Sequence, residues 1–261
     1  MTEKRALVTG AARRIGRAMA LYLAERGHDV AVHYHGSPDA AEEVAAEIRG
    51  MGRTAAAIPA DLTREAEMQG LLPAAAAALG GPLNLLVNNA SIYEPDSLDT
   101  ANRESWDLHM ESNLRAPVVL TQAFAAQAPR AIRDHSHEAL SQSLVVNIVD
   151  QRVLKPTPHF MSYTIAKMAL WAFTQTAARA LAPDIRVNAI GPGPTLPNPR
   201  QSEAQFRAQR AACVLERGSN RSDINAALGY FLDAPAVSGQ LLCVDGGQHL
   251  AWKTPDVVLP E

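Results

Sequence analysis

Tyr163 and Lys167 stand four residues apart in "MSYTIAK", so on a helix they share one face. A phenol and an ammonium on one face can handle a proton at a reacting centre. Thirteen residues before Tyr163, Asp150 closes the strand-like run "SLVVNIV". An ionised carboxylate there only accepts hydrogen bonds, whereas a neutral one can hand on a proton. An ionised Asp150 would raise the tyrosine pKa while Lys167 pulls the other way, and the proton count belongs to the coupled group. Between Ser143 and Ser162 the only hydroxyl is Thr157, inside a Pro-rich loop, so no serine takes the acid's place. The bland alternative is a loop carboxylate in an altered or inactive protein.

A second chemical feature comes near the start, in "TGAARRIGRAMA". Gly10 and Gly16 flank a turn that opens a helix, where free N–H groups and the helix dipole can hold a pyrophosphate. A glycine turn between strand and helix is common, so the loop gains weight from its surroundings.

Those surroundings are short apolar runs alternating with helical patterns. Strands are predicted at 5–9, 29–35, 54–62, 83–90, 143–149, 184–190 and 240–246. Several are apolar on successive residues, as strands buried on both faces must be. Helical patterns fill the gaps in "RIGRAMALYLAERG", "SPDAAEEVAAEIRG", "REAEMQGLLPAAAAALG" and from near Phe160. The alternation predicts a doubly wound Rossmann-type sheet of about seven parallel strands, helices on both faces, in a single domain over 1–261. A polar stretch, 129–142, reads as a surface insertion. The Pro-rich stretch 191–201 follows a strand's carboxyl end, where open α/β sheets place ligands.

Together these motifs resemble the short-chain dehydrogenase/reductase family over nearly the whole chain. The family loop is T-G-x-x-x-G-x-G; Arg14 replaces its middle glycine, as in the pteridine reductase and dihydromonapterin reductase branch. The resemblance implies that Gly10, Arg14 and Ile15 lie along cofactor phosphates. The second strand ends "VHYHGS" without the acid that holds an unphosphorylated ribose, and His35, Ser37 and Arg14 suit a 2′-phosphate, which favours NADPH. Ser37 also reads as an N-cap before Pro38. Asp61 is expected at the adenine amine or, alternatively, as a helix-start charge. Asn88 and Ala90, in "NNAS", are expected along the cofactor, as are Pro192, Gly193 and Thr195 in "IGPGPT".

The resemblance also gives roles at the reacting centre. Tyr163 transfers a proton, and Lys167 lowers its pKa and binds the nicotinamide ribose. Asn113 holds a relay water, or else is a plain polar helix residue. The branch carries an aspartate at the position of Asp150. Arg14, Ser91 and Tyr93 are expected to meet a pterin together with Asp150 and Tyr163, Tyr93 stacking on its ring; packing is the alternative for Tyr93. A substrate loop is expected over about 194–217. The implied reaction passes hydride from NADPH to a C=N carbon of a pterin. A carbonyl reductase of the same family and a catalytically silent NADP(H) sensor are the alternatives.

Composition excludes other classes. With 261 residues, 47% hydrophobic and 20% charged, the chain is globular. A net charge of −3 and a pI near 6.2 leave no footprint for nucleic acid or an anionic membrane. Cys213 and Cys243 match no metal or redox spacing, and the histidines of "HYH" and "HSH" form no metal set. The start "MTEKRALVTG" shows no charged-then-apolar leader and no run reaches the roughly 18 apolar residues of a membrane span, so a cytoplasmic protein is expected. The family resemblance implies a homotetramer.

Overall fold

Arg5–Val8 (β1), Asp29–Tyr34 (β2), Ala55–Pro59 (β3), Leu85–Asn88 (β4), Ser143–Ile148 (β7), Ile185–Pro192 (β8) and Leu241–Val244 (β9) form one sheet in the computed structural model. The structure describes residues 4–253; the two ends of the expected 1–261 domain, 1–3 and 254–261, lie outside the described residues. All neighbours in the seven-stranded sheet are parallel, in the order β3-β2-β1-β4-β7-β8-β9. The polar stretch 129–142 holds only a short hairpin of Ile132–Arg133 (β5) and Ala139–Leu140 (β6).

The unbroken apolar runs follow from two-sided burial. Along β1, Ala6 and Val8 join one core layer and Leu7 the other; Val30 and Val32 split from Ala31, and Leu85 and Val87 from Leu86, in the same way. Successive strand residues point to opposite faces, so both alternating sets must be apolar. Helices Arg14–Glu25 (α1), Pro38–Gly50 (α2) and Arg221–Asp233 (α8) cover the first layer with Leu23, Ile48 and Phe231. Glu65–Ala78 (α3), Ala116–Gln127 (α5) and Met161–Ala180 (α6) cover the second with Leu72, Phe124 and Ala177. Leu7 is fully buried, and trimming such a leucine to alanine costs about 2–5 kcal/mol.

Several helical elements lie outside the patterns read from the sequence. Arg103–Met110 (α4) runs into a π turn at Glu111–Arg115 and on into α5, Glu203–Ala211 (α7) lies inside the expected loop 194–217, and α8 follows it. The chain leaves β1 toward β2 and returns to its other side at β4. That reversal opens a crevice at the carboxyl ends of the strands, as the rule for open α/β sheets requires.

Candidate active site

A cleft of about 930 Å³ occupies the crevice. Gly10, Arg14, Ile15, His35, Asp61, Ala90, Ser91, Tyr93, Asp150, Tyr163, Lys167, Pro192, Gly193 and Thr195 all line it; Ser37, Asn88 and Asn113 do not.

Asp150 leaves the end of β7 and its Oδ1 accepts the Arg152 N–H at 2.8 Å, which fixes the carboxylate at the head of a short 3-10 turn. The Tyr163 hydroxyl, from the first turn of α6, donates to Asp150 Oδ2 at 3.0 Å. One turn on, Lys167 Nζ donates to the Ile148 carbonyl at 2.8 Å and sits 5.8 Å from the Tyr163 ring centroid. Burial pushes the Asp150 carboxyl up from the usual carboxylate range. Burial and then the facing Asp150 charge push the Tyr163 phenol well above its usual value. Both groups therefore hold protons to higher pH than in water. Burial brings Lys167 down to about 8, with Asp150 opposing. The expected lowering of the tyrosine by Lys167 is overridden by desolvation and the acid.

At the other end, Gly10 takes φ +61°, and a Cβ there would lie 3.0 Å from Ala90 Cα. A Cβ on Gly16 would lie 2.2 Å from the Gly10 carbonyl oxygen, so only glycine lets α1 start this close to the loop. Arg14 stands at φ 56° where the common loop has glycine. A side chain held in that left-handed region costs of order 1 kcal/mol or more and points to use rather than convenience. The Arg13 guanidinium, on the same wall, has no partner among the described residues. A glycine cradle, an unpaired guanidinium and no acid at the end of β2 together suit a dinucleotide that carries an extra phosphate.

Three expectations, for Asn88, Asn113 and Ser37, need correction. Asn88 faces the core, donating to Asn147 Oδ1 at 2.8 Å; its neighbour Asn89 lines the cleft and donates to the Thr9 carbonyl at 2.8 Å. A two-residue strand period turns one asparagine of the pair inward and leaves the other at the strand end. The Asn113 side chain turns away from the cleft to the Ile92 backbone, accepting its N–H and donating to its C=O, both at 2.8 Å. Ser37 precedes Pro38 at the helix start but makes no capping bond. Tyr93 lines the cleft with its ring already stacked on Phe160, centroids 4.0 Å apart and 6° from parallel. Arg14 donates to the Pro197 carbonyl at 3.1 Å, bridging to the Pro-rich segment.

Asp61 accepts the Thr63 N–H and hydroxyl at 2.9 and 2.7 Å, and these bonds lower its pKa. His35 lies 3.9 Å from it. Thr195 donates to the Gly193 carbonyl at 3.1 Å and shares a short bond with Ser219. Sequence reasoning missed Arg152, whose guanidinium donates to the Tyr93 hydroxyl at 2.9 Å, though it stands only two residues past Asp150. It also missed His33, which accepts the Gly10 N–H at 2.9 Å through Nδ1 and has its pKa brought down to about 4 by burial. Phe160, Asp96, Ser162 and His109 were missed as well; nothing local in the sequence marks their convergence.

The family model for short chain dehydrogenase matches residues 4–208. Two crystal structures are similar throughout. One is FolM alternative dihydrofolate reductase 1 from Brucella canis, complexed with NADP, 41% identical, TM-score 0.88, covering 98% of both chains. The other is the Brucella suis protein of the same description, also with NADP, 42% identical, TM-score 0.89, covering 97% of this chain and 98% of that one. In sequence, the 3-oxoacyl-[acyl-carrier-protein] reductase FabG of Staphylococcus aureus is 31% identical over 252 residues, 95% of this chain and 98% of that protein.

Proposed function

The chain belongs to the short chain dehydrogenase family, and within it we propose that it is an NADPH-dependent reductase acting on a C=N bond of a pterin ring. The observation that carries this reading is the hydrogen bond from Tyr163 to a half-buried Asp150 where a hydroxyl would serve a carbonyl substrate. The likeness to NADP-bound proteins described as alternative dihydrofolate reductases supports it.

NADPH when bound supplies the hydride. Gly10, Arg13, Arg14, Ile15, His35, Asp61, Asn89, Ala90, Lys167, Pro192, Gly193 and Thr195 would hold it, all of them on the cleft wall. Tyr163 gives its proton to the ring nitrogen as the neighbouring carbon is reduced: its O–H bond breaks and an N–H bond forms. Asp150, pushed toward its protonated form by burial, returns a proton to the tyrosinate. Lys167 keeps the lower end of the group cationic below about pH 8. Tyr93 and Phe160 offer an aromatic wall suited to a flat heterocycle, with Ser91 and the Arg14 guanidinium at its polar edge. Asn113 acts as a clamp on the Ile92 backbone.

A carbonyl reductase is the second reading, favoured by the 31% identity to the staphylococcal 3-oxoacyl reductase. NADPH oxidation with dihydropterin and dihydrofolate, run beside a 3-oxoacyl thioester and simple ketones, separates the two. Brisk ketone reduction without pterin turnover would overturn the proposal. The intact Tyr163, Lys167 and Asp150 contacts speak against a silent sensor, whose mark would be NADPH binding without turnover. We also propose a cytoplasmic homotetramer packed through helices that include α6, where Ile165 and Met168 are 38% and 43% exposed. No helix among the described residues is long and apolar enough to cross a membrane.

A further inference from the structure

Helix α6 carries Tyr163 in its first turn, yet nothing on the helix itself caps that turn. Phe160, at the N-cap position, sits in the left-handed region (φ 58°, ψ 49°) and makes no side-chain cap. The first N–H groups of a helix need acceptors from elsewhere. They come from Asp96, on the loop after β4. Asp96 Oδ1 accepts the Ser162 N–H at 3.2 Å, Asp96 Oδ2 accepts the Ser162 hydroxyl, and the Asp96 carbonyl accepts the Phe160 N–H at 2.7 Å.

The chain of bonds continues into α4. His109 Nδ1 lies 2.7 Å from Ser162 Oγ, and His109 Nε2 faces the Glu94 N–H at 3.2 Å. A backbone N–H can only donate, so Nε2 is the acceptor and the neutral ring carries its proton on Nδ1. His109 then donates to Ser162, and Ser162 donates to Asp96. One proton arrangement satisfies every link. All three side chains are buried, with exposures of 0% for His109, 0% for Ser162 and 6% for Asp96.

The positions of these residues give the cluster a purpose. Glu94 follows Tyr93 and Ser162 precedes Tyr163, so the cluster ties the neighbours of both rings together. The two rings meet edge to face, centroids 4.7 Å apart at 78°, and the His109 ring lies 6.0 Å from Tyr163. We infer that Asp96, Ser162 and His109 are a positioning unit that sets Tyr93 against Tyr163 and so shapes the substrate wall of the cleft. The inference rests on the proposed function only in taking Tyr163 as the proton-carrying group.

The test uses the full chain with Ser162→Ala, Asp96→Asn and His109→Gln. In Asp96→Asn an amide N–H would face a serine oxygen that already receives the His109 proton, so one link must break. Loosening the wall by a fraction of an ångström to 1 Å should raise KM for dihydropterin about 10-fold or more. The NADPH Kd should stay unchanged, because the cradle at Gly10 is untouched. The Ser162→Ala/Asp96→Asn double variant should be little worse than either single one, since the links act as a unit. Amide hydrogen exchange of 91–98 should rise about 10-fold or more while that of β4 stays put.

Unchanged KM and unchanged exchange of 91–98 in folded variants would overturn the inference. So would a fall in folded fraction alone, with KM at the wild-type value. If Asp96→Asn does not fold, Ser162→Ala, which deletes one oxygen, carries the test. Failure of the wild type on dihydropterin would count against the function proposed above, and the exchange measurement would still judge the positioning unit.

Discussion

Lys167 gives the sharpest quantitative handle on the site. Its ammonium is buried behind Tyr163, and desolvation brings its pKa from an ordinary 10.5 to about 8. Below pH 8 both folded and unfolded chains are protonated there, and the folded state bears the full penalty of a buried cation. At about 1.4 kcal/mol per pH unit, the interval from 10.5 to about 8 corresponds to about 3 kcal/mol. Between those values the folded chain sheds its proton first. The unfolded chain then binds more protons, so this contribution makes the protein more stable as pH rises. Lys167→Met removes the titration. Urea unfolding of wild type and Lys167→Met at pH 7.0 and 9.5 should show the stability difference shifting by about 2 kcal/mol in favour of wild type at the higher pH. Tyr163 and Cys243, whose pKa values burial raises, act in the opposite sense at high pH, but they are common to both proteins and drop out of the difference. Parallel stability curves over that range would refute the assignment of a burial-lowered lysine.

Asp150→Asn and Asp150→Ser should each lower kcat for pterin reduction by about 100-fold and flatten one limb of its pH profile, the size expected for a general acid–base partner; wild-type rates across the range would remove the carboxylate from the relay. Arg13→Ala should raise KM for NADPH about 10-fold or more and leave KM for NADH nearly unchanged, as loss of a charge-assisted contact to an extra phosphate would; equal effects on both cofactors would refute the placement. His33, with a pKa of about 4 against an ordinary 6.5, binds fewer protons folded than unfolded, so stability should fall as pH drops from 6.5 toward 4. His33→Gln should flatten that fall in urea titrations, and an unchanged slope would count against a buried neutral ring at Gly10.

The sheet was legible because two-sided burial writes itself into the chain as unbroken apolar runs, and β4 and β7 are buried along their whole length. Helix α7 was not, because none of its residues is buried and it presents no apolar stripe to any core. The segment through α4 and the π turn was hidden for a related reason: of the α4 residues only His109 is fully covered, and a π turn breaks the helical period. At the site, Tyr163, Lys167, Asp150 and Gly10, singled out by local motifs, line one cleft. Side-chain direction was the weak point. Asn88 and Asn89 exchange roles across a single strand step, and Asn113 turns to Ile92. Asp96 and Ser162 are 66 positions apart, so only the folded sheet brings them together.

The three departures from the common family pattern, Arg14, Tyr93 and Asp150, prove to be linked in space. Arg14 reaches the Pro197 carbonyl at 3.1 Å. From the same segment, Arg200 donates to the Tyr93 carbonyl at 2.6 Å and pairs with Glu94 at 2.9 Å. Arg152 then joins the Tyr93 hydroxyl, at 2.9 Å, to the Asp150 carboxylate through its own N–H, at 2.8 Å. A continuous line of donors thus runs from the glycine loop, across the mouth of the cleft, to the acid beside Tyr163. Replacing Asp150 by serine would leave a single oxygen in place of the two that take the Arg152 N–H and the Tyr163 hydroxyl, beside a guanidinium stacked over Tyr93 and Phe160. Replacing Arg14 by glycine would relieve a strained backbone but free the segment that holds Tyr93. The acid, the aromatic ring and the loop arginine are therefore joined by one line of contacts, and the proposed reaction takes place at its Asp150 end.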